Sequence, residues 1–483
     1  SVLANELLGY ALGFFLGWKR MCESSARHWD AFECVQTSGG AVLDRQRSFS
    51  CGADRGWRTP RYPCLPHQTW NRTLDGMVAA GSASIADADA ILGLVLLVVR
   101  FESQGVGWWY EVGQWAYDSC KAFIELDTQL NADGSERIVR LGACRGGWSC
   151  ASPASVSPAH YRVFDTFMRD YAALFNNAHY RLDGATPQTV AAKIQAEAYS
   201  TQWRQLLRTG YNMLQAASSP STGLFVDRLI PDPMHVAGKA VVSEECRSDR
   251  SPPAEFGDDA ASIAWRLFLD YAWFSGAGDW NGDRLAQQLL RPLSLHVASR
   301  ARLADPKNCV SVACNPALDL TPSSTGTVDS AGAFSSADEE PASAPSDAGA
   351  SGVVPSVRVN WTETPSMTGP LAASLMVPAT GDDRSNVQQP ALSLMGRLVQ
   401  QQLYSSLTSA LDAEALGWAT IAIMTMAAPT AEVAVVNALH ARQKNPATGS
   451  WVQRAPRPPR PPPLPPAAPV PPHPPPPPPP PAP

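Results

Sequence analysis

The run Ile91–Val99 is apolar throughout and follows directly on Asp87-Ala88-Asp89-Ala90. It is too short to span a bilayer, which takes about 20 apolar residues. A helix over Ala90–Phe101 has almost no polar face, so other elements must enclose it on all sides. That requirement constrains the fold more than any other feature. The rest of the chain supplies enclosing material: 45% of its 483 residues are hydrophobic and 17% are charged. Helical spacing recurs in Thr189–Ala217, where Ile194, Ala198, Trp203, Leu206, Leu207, Tyr211 and Leu214 share a face. Ala260–Phe274 repeats it with Ile263, Leu267, Phe268 and Tyr271, and Asp283–Ala298 and Leu398–Met426 extend the series. Alternating strands are few. The pattern predicts an all-α fold, a closed array of long apolar helices.

Two segments stand apart from that array. Residues 315–352 are rich in Ser, Ala, Thr, Asp and Pro and read as a flexible insertion. The segment Ala455–Pro483 holds 20 of the 44 prolines and predicts polyproline II, because proline fixes its torsion and donates no backbone hydrogen bond. Residues 431–454 then form a linker between body and tail. A formal charge of −6 argues against nucleic-acid binding through a basic surface.

Ten cysteines occur without a CxxC pair, and the eight histidines are scattered, so no zinc module or other metal site is expected. The close pairs Cys144/Cys150 and Cys309/Cys314 fit short disulfide loops. Asn71 and Asn360 begin Asn-x-Thr sequons, which suit the same secreted setting. The apolar start, Leu7–Gly17, has no basic leading segment and no small-residue cleavage site. It does not read as a signal peptide, and the chain is expected to be a fragment or processed form.

Four segments hold candidate chemistry. In Asn5-Glu6-Leu7-Leu8 a lone carboxylate sits among apolar residues, where burial would keep it protonated as a general acid requires. Asp87 and Asp89 open the apolar helix; one can cap it, and the other is expected to meet a polar cavity that suits sugar hydroxyls. Ser152–Phe164 is a proline-punctuated loop entering a helix, with His160, Tyr161 and Arg162. Asp258-Asp259 precedes another buried helix, with Trp265 and Arg266 one to two turns inside; a buried Arg needs a carboxylate or ligand partner.

Together these four segments resemble glycoside hydrolase family 8, the inverting β-glycanases. Asn5–Leu12 is similar to the family's Ser-Glu-Gly-x-Gly-Tyr acid motif. Ile85-Ala86-Asp87-Ala88-Asp89 is similar to its Ala-Ser/Thr-Asp-Ala/Gly-Asp signature. Ser152–Phe164 resembles its Asn-Pro-Ser-Tyr-Phe-x-Pro-Ala-x-Tyr-Arg-Val-Phe loop, and Asp258–Arg266 its Tyr-Asp-Ala-x-Arg-x-Pro-Trp-Arg base motif. The resemblance covers residues 1–430. It implies an (α/α)6 barrel whose cleft lies at the N-terminal ends of the inner helices, with no cofactor.

The resemblance implies Glu6 as general acid and Asp259 as general base, with Asp87 gripping the sugar at the cleavage point. Trp70 and Trp148 are the expected stacking platforms, and Tyr161 and Arg266 the remaining substrate contacts. An inverting enzyme holds its two carboxyl groups about 6.5–9.5 Å apart, leaving room for the attacking water. The implied substrate is a cellulose-like β-1,4-glucan. Mixed-linkage glucan, xylan and chitosan stay open, as does a non-catalytic glycan-binding or cell-wall protein. Ser155, Asp258 and Ser262 depart from the family's Tyr, Tyr and Arg around the base. The tail resembles hydroxyproline-rich cell-wall segments, which implies a secreted or wall location; a stiff linker is the plain alternative.

Overall fold

The computed structural model describes residues 2–29, 65–66, 69–70, 77–79, 82–104, 108–142, 146–175, 188–231, 255–274, 282–303, 358–359, 365–376, 396, 418 and 421. The insertion 315–352, the linker and the polyproline tail lie outside these residues. So does nearly all of Leu398–Met426.

The described chain is mostly helical. The helices are α1 (Val2–Trp29), α2 (Ser84–Gln104), α3 (Trp109–Leu126), α4 (Pro158–Asp170), α5 (Ala172–Phe175), α6 (Gln188–Ala217), α7 (Asp258–Phe274), α8 (Gly282–Leu303) and α9 (Pro365–Ser374). Strands are two or three residues long and form three two-stranded sheets. β1 (Thr69–Trp70) pairs antiparallel with β2 (Met77–Ala79), and β3 (Thr128–Leu130) with β4 (Arg137–Val139). β5 (Glu255–Phe256) lies parallel to β6 (Arg358–Val359).

The enclosure demanded by α2 is met: no residue of Ile91–Val99 is exposed. α2 packs on α3 and α4, and the Phe14 ring of α1 lies against Gly93. α2 and α3 form an antiparallel pair, because Ser82 bonds Asp127 at one end while Phe101 meets Trp108 at the other. α4 runs parallel to α2: His160 meets Asp89 near their starts, and Tyr171 bonds Glu102 near their ends. α7 runs parallel to α4, since Arg266 reaches Ser157 and Asp270 takes the Nε of Arg162 at 2.8 Å. Helix α6 lies antiparallel on α4, with Gly210 beside Val156 and Trp203 beside Met168. Its Trp203 is 1% exposed and stacks on Phe123 and Tyr161, both at 6.0 Å between ring centres. Three parallel helices, α2, α4 and α7, thus begin on one side of the core.

Cys22 and Cys120 are buried free thiols, and Cys150 is disulfide-bonded. The partner of Cys150 lies outside the described residues, as do Cys144, Cys309 and Cys314. No helix of the described residues is long and apolar enough to cross a membrane.

Candidate functional site

The start of α2 sorts its two acids. The Ala83 amide donates to Asp87 Oδ2 at 3.0 Å, and the Asp87 amide donates to the Ala83 carbonyl at 2.9 Å. Asp87 therefore closes the start of its own helix, and it is 3% exposed. Two residues further on, the helix has turned about 200°, so Asp89 faces a different neighbour. Its Oδ2 takes Nη2 of Arg266 at 2.6 Å and its Oδ1 takes Nε2 of His160 at 2.9 Å. Arg266 Nη1 also donates to the hydroxyl of Ser157. Ser157 precedes Pro158 at the start of α4, but its hydroxyl serves the guanidinium and not the helix end. One carboxylate with a third of its side chain exposed thus joins α2, α4 and α7.

The electrostatics follow from burial. Burial pushes the Asp89 carboxyl up, but the Arg266 charge and the His160 hydrogen bond outweigh it and hold the group below its usual range. Burial pushes the fully buried His160 down, more than Asp89 pulls it up. A neutral imidazole donating from Nε2 to Asp89 fits this balance. Its Nδ1 has no hydrogen-bond partner among the described residues. The ring meets Trp265 edge-on at 6.0 Å, and Trp265 meets Trp418 at 5.6 Å.

Asp259 lies in the first turn of α7 with 51% of its side chain exposed. Its Oδ2 is 3.5 Å from Nη2 of Arg228, and its carbonyl accepts the Ser262 hydroxyl at 2.6 Å. Arg228 stands beside the buried Asp227, with Nε 3.7 Å from Oδ2. The loop that carries it is braced. Leu229 exchanges two backbone hydrogen bonds with Ala151, at 2.8 and 3.0 Å. Gly223 has φ +69° and lies so close to α8 that a Cβ there would be 2.2 Å from the Leu293 amide nitrogen.

The expected site residues separate into groups. Asp259 is accessible at the side where α2, α4 and α7 begin. Tyr161 is 1% exposed and donates to the Ser155 carbonyl at 2.8 Å; burial pushes its hydroxyl well up. Arg266 is fully buried on Asp89 and Ser157. Both are buried in the framework that joins α4 and α7. Asp87 is likewise buried at the start of its own helix. Trp148 is half-buried on a turn where a Cβ at Gly147 would strike Gln129 Oε1 at 2.1 Å. Its indole N–H has no hydrogen-bond partner among the described residues. Glu6 lies in α1 and Trp70 in β1, with both side chains outside the described residues.

No family model and no curated protein matches this chain. One residue of the site, Arg228, escaped the sequence reading. Asp89 was singled out beside Asp87 as the acid left over from capping, and its neighbours are Arg266 and His160. Arg228 carries no local signal, because its partner is 31 positions away. Among the described residues, no group of three or more His, Cys, Asp or Glu is placed to hold a metal ion. Burial raises the thiols of Cys22 and Cys120 far up, so neither supplies a nucleophile.

Proposed function

We propose that this chain is an inverting glycoside hydrolase, cutting internal β-1,4-glucosidic bonds of a cellulose-like polysaccharide. One observation supports the reading most. The three motif segments around Asp87–Asp89, Ser152–Phe164 and Asp258–Arg266 are far apart in sequence. They meet where three parallel helices begin, with Asp259 accessible there. The parallel α2, α4 and α7, with α3 and α6 antiparallel on them, suit an (α/α)6 barrel. In this reading Asp259 takes a proton from the attacking water while Glu6 protonates the leaving oxygen, about 6.5–9.5 Å away. No cofactor is needed. The Cys150 disulfide and the sequons support a secreted or wall-bound protein.

A second reading, a glycan-binding wall protein without turnover, draws on Ser155 and Ser262. Ser155 is buried, and Ser262 turns back to the Asp259 carbonyl, so neither supports the base carboxylate. Reducing-sugar release from carboxymethylcellulose decides between them. Glu6→Gln and Asp259→Asn should each lower turnover by on the order of 10²–10⁴. A wild type that releases no sugar from glucan, mixed-linkage glucan, xylan or chitosan, yet binds one of them, would establish the second reading.

A further inference from the structure

We propose that Arg228 is a positioning residue for the Asp259 carboxylate, an inference that rests on the hydrolytic reading above. A general base must aim one lone pair at its water, and a half-exposed carboxylate is free to rotate unless something holds it. The first turn of α7, Asp258-Asp259-Ala260-Ala261-Ser262, contains no cation. Ser262 is committed to the Asp259 carbonyl at 2.6 Å. The cation comes from elsewhere: Nη2 of Arg228, 3.5 Å from Oδ2. That contact leaves Oδ1 to the water.

The mounting makes Arg228 suited to the task. Its side chain is 13% exposed, so its stem is already confined. An ordinary surface Arg would have to give up rotamer freedom to hold one geometry. The buried Asp227 stands on the Nε side at 3.7 Å, an ion-pair contact that draws the guanidinium to that side without a hydrogen bond. The backbone on its far side is tied by the Leu229–Ala151 pair, and the loop is seated on α8 at Gly223. The planar fork therefore presents one nitrogen to Asp259 from a fixed direction, which a flexible Lys would do less well.

The test compares wild type, Arg228→Ala, Arg228→Lys and Asp259→Asn on carboxymethylcellulose, using the full chain. Arg228→Ala should lower kcat by about tenfold while KM stays within about twofold, because the base contacts water more than sugar. Arg228→Lys should recover part of the loss, and millimolar guanidinium chloride should restore part of the Arg228→Ala rate. The melting temperature should stay unchanged. An active wild type with equal kcat in Arg228→Ala would overturn the positioning role alone. So would a rate loss matched by a fall in melting temperature, without guanidinium rescue. A wild type without turnover would overturn the hydrolytic reading and this role with it.

Discussion

Replacing Asp89 by Asn tests whether one carboxylate ties α2, α4 and α7 together. Arg266 is fully buried, and Asp89 is its partner at 2.6 Å. Removing one member of a buried ion pair costs about 3–5 kcal/mol, because the other charge is left uncompensated. Two effects reduce this. Asp89 keeps a third of its side chain in water, and the Asn carbonyl still accepts one hydrogen bond from the guanidinium. The expected loss is about 2–3 kcal/mol. Urea unfolding at pH 7, followed by the fluorescence of the 15 tryptophans, measures it. Asp89→Asn combined with Arg266→Met should cost less than the two single changes added together, since the orphaned charge is gone. A single-variant loss below about 0.5 kcal/mol, or strict additivity in the double variant, would refute the argument.

The remaining expectations concern the same framework. His160 has a folded pKa below its ordinary value, so the folded state binds fewer protons there; the stability from this group is full above about pH 6.5 and is lost as pH falls towards the folded value. Stability measured between pH 7 and 5 should slope less in His160→Gln; an unchanged slope places the proton elsewhere. Asp89, also lowered, adds a loss that begins only near pH 4 and below, and Asp89→Asn should remove it from an acid titration of stability. Tyr161→Phe should cost about 1 kcal/mol in urea while oligosaccharide affinity stays the same by calorimetry; a large affinity loss would put Tyr161 in contact with substrate after all. Gly223→Ala should cost at least about 2 kcal/mol through a strained backbone and the close Leu293 amide, and a neutral result would mean that the loop is not seated on α8.

Sequence patterns located α6 and α7 within two residues at each end, and found α2 and α8 with one end five or six residues short, because each turns an apolar face to the core. They passed over α3. Its buried face includes Gln114, Asp118 and Ser119, and Gln114 bonds Asp118 at 3.0 Å and the Phe175 carbonyl at 3.2 Å. Buried polar residues that satisfy one another erase the apolar stripe that marks a helix. The same effect governed the site. Asp259 stood out through the resemblance of Asp258–Arg266 to a base motif, since acids at a helix start are by themselves common. Tyr161 and Arg266 were identified as important, but their role depended on which way they point, and that is set by α4 packing on α7 and not by neighbours in sequence. Trp18 is similar: its indole N–H reaches Ser119 across 101 positions.

Cys22 gives the protein a chemical clock. It lies on α1, the helix that also bears Glu6, and both burial and the nearby Asp87 charge withhold its thiolate. An alkylating reagent can reach that sulfur only while α1 is lifted from the core, so the labelling rate at excess reagent reads the frequency of lifting. Cys120 lies on α3, inside the body, and responds to deeper opening. The ratio of the two rates separates the seating of one helix from the unfolding of the whole, with no introduced probe.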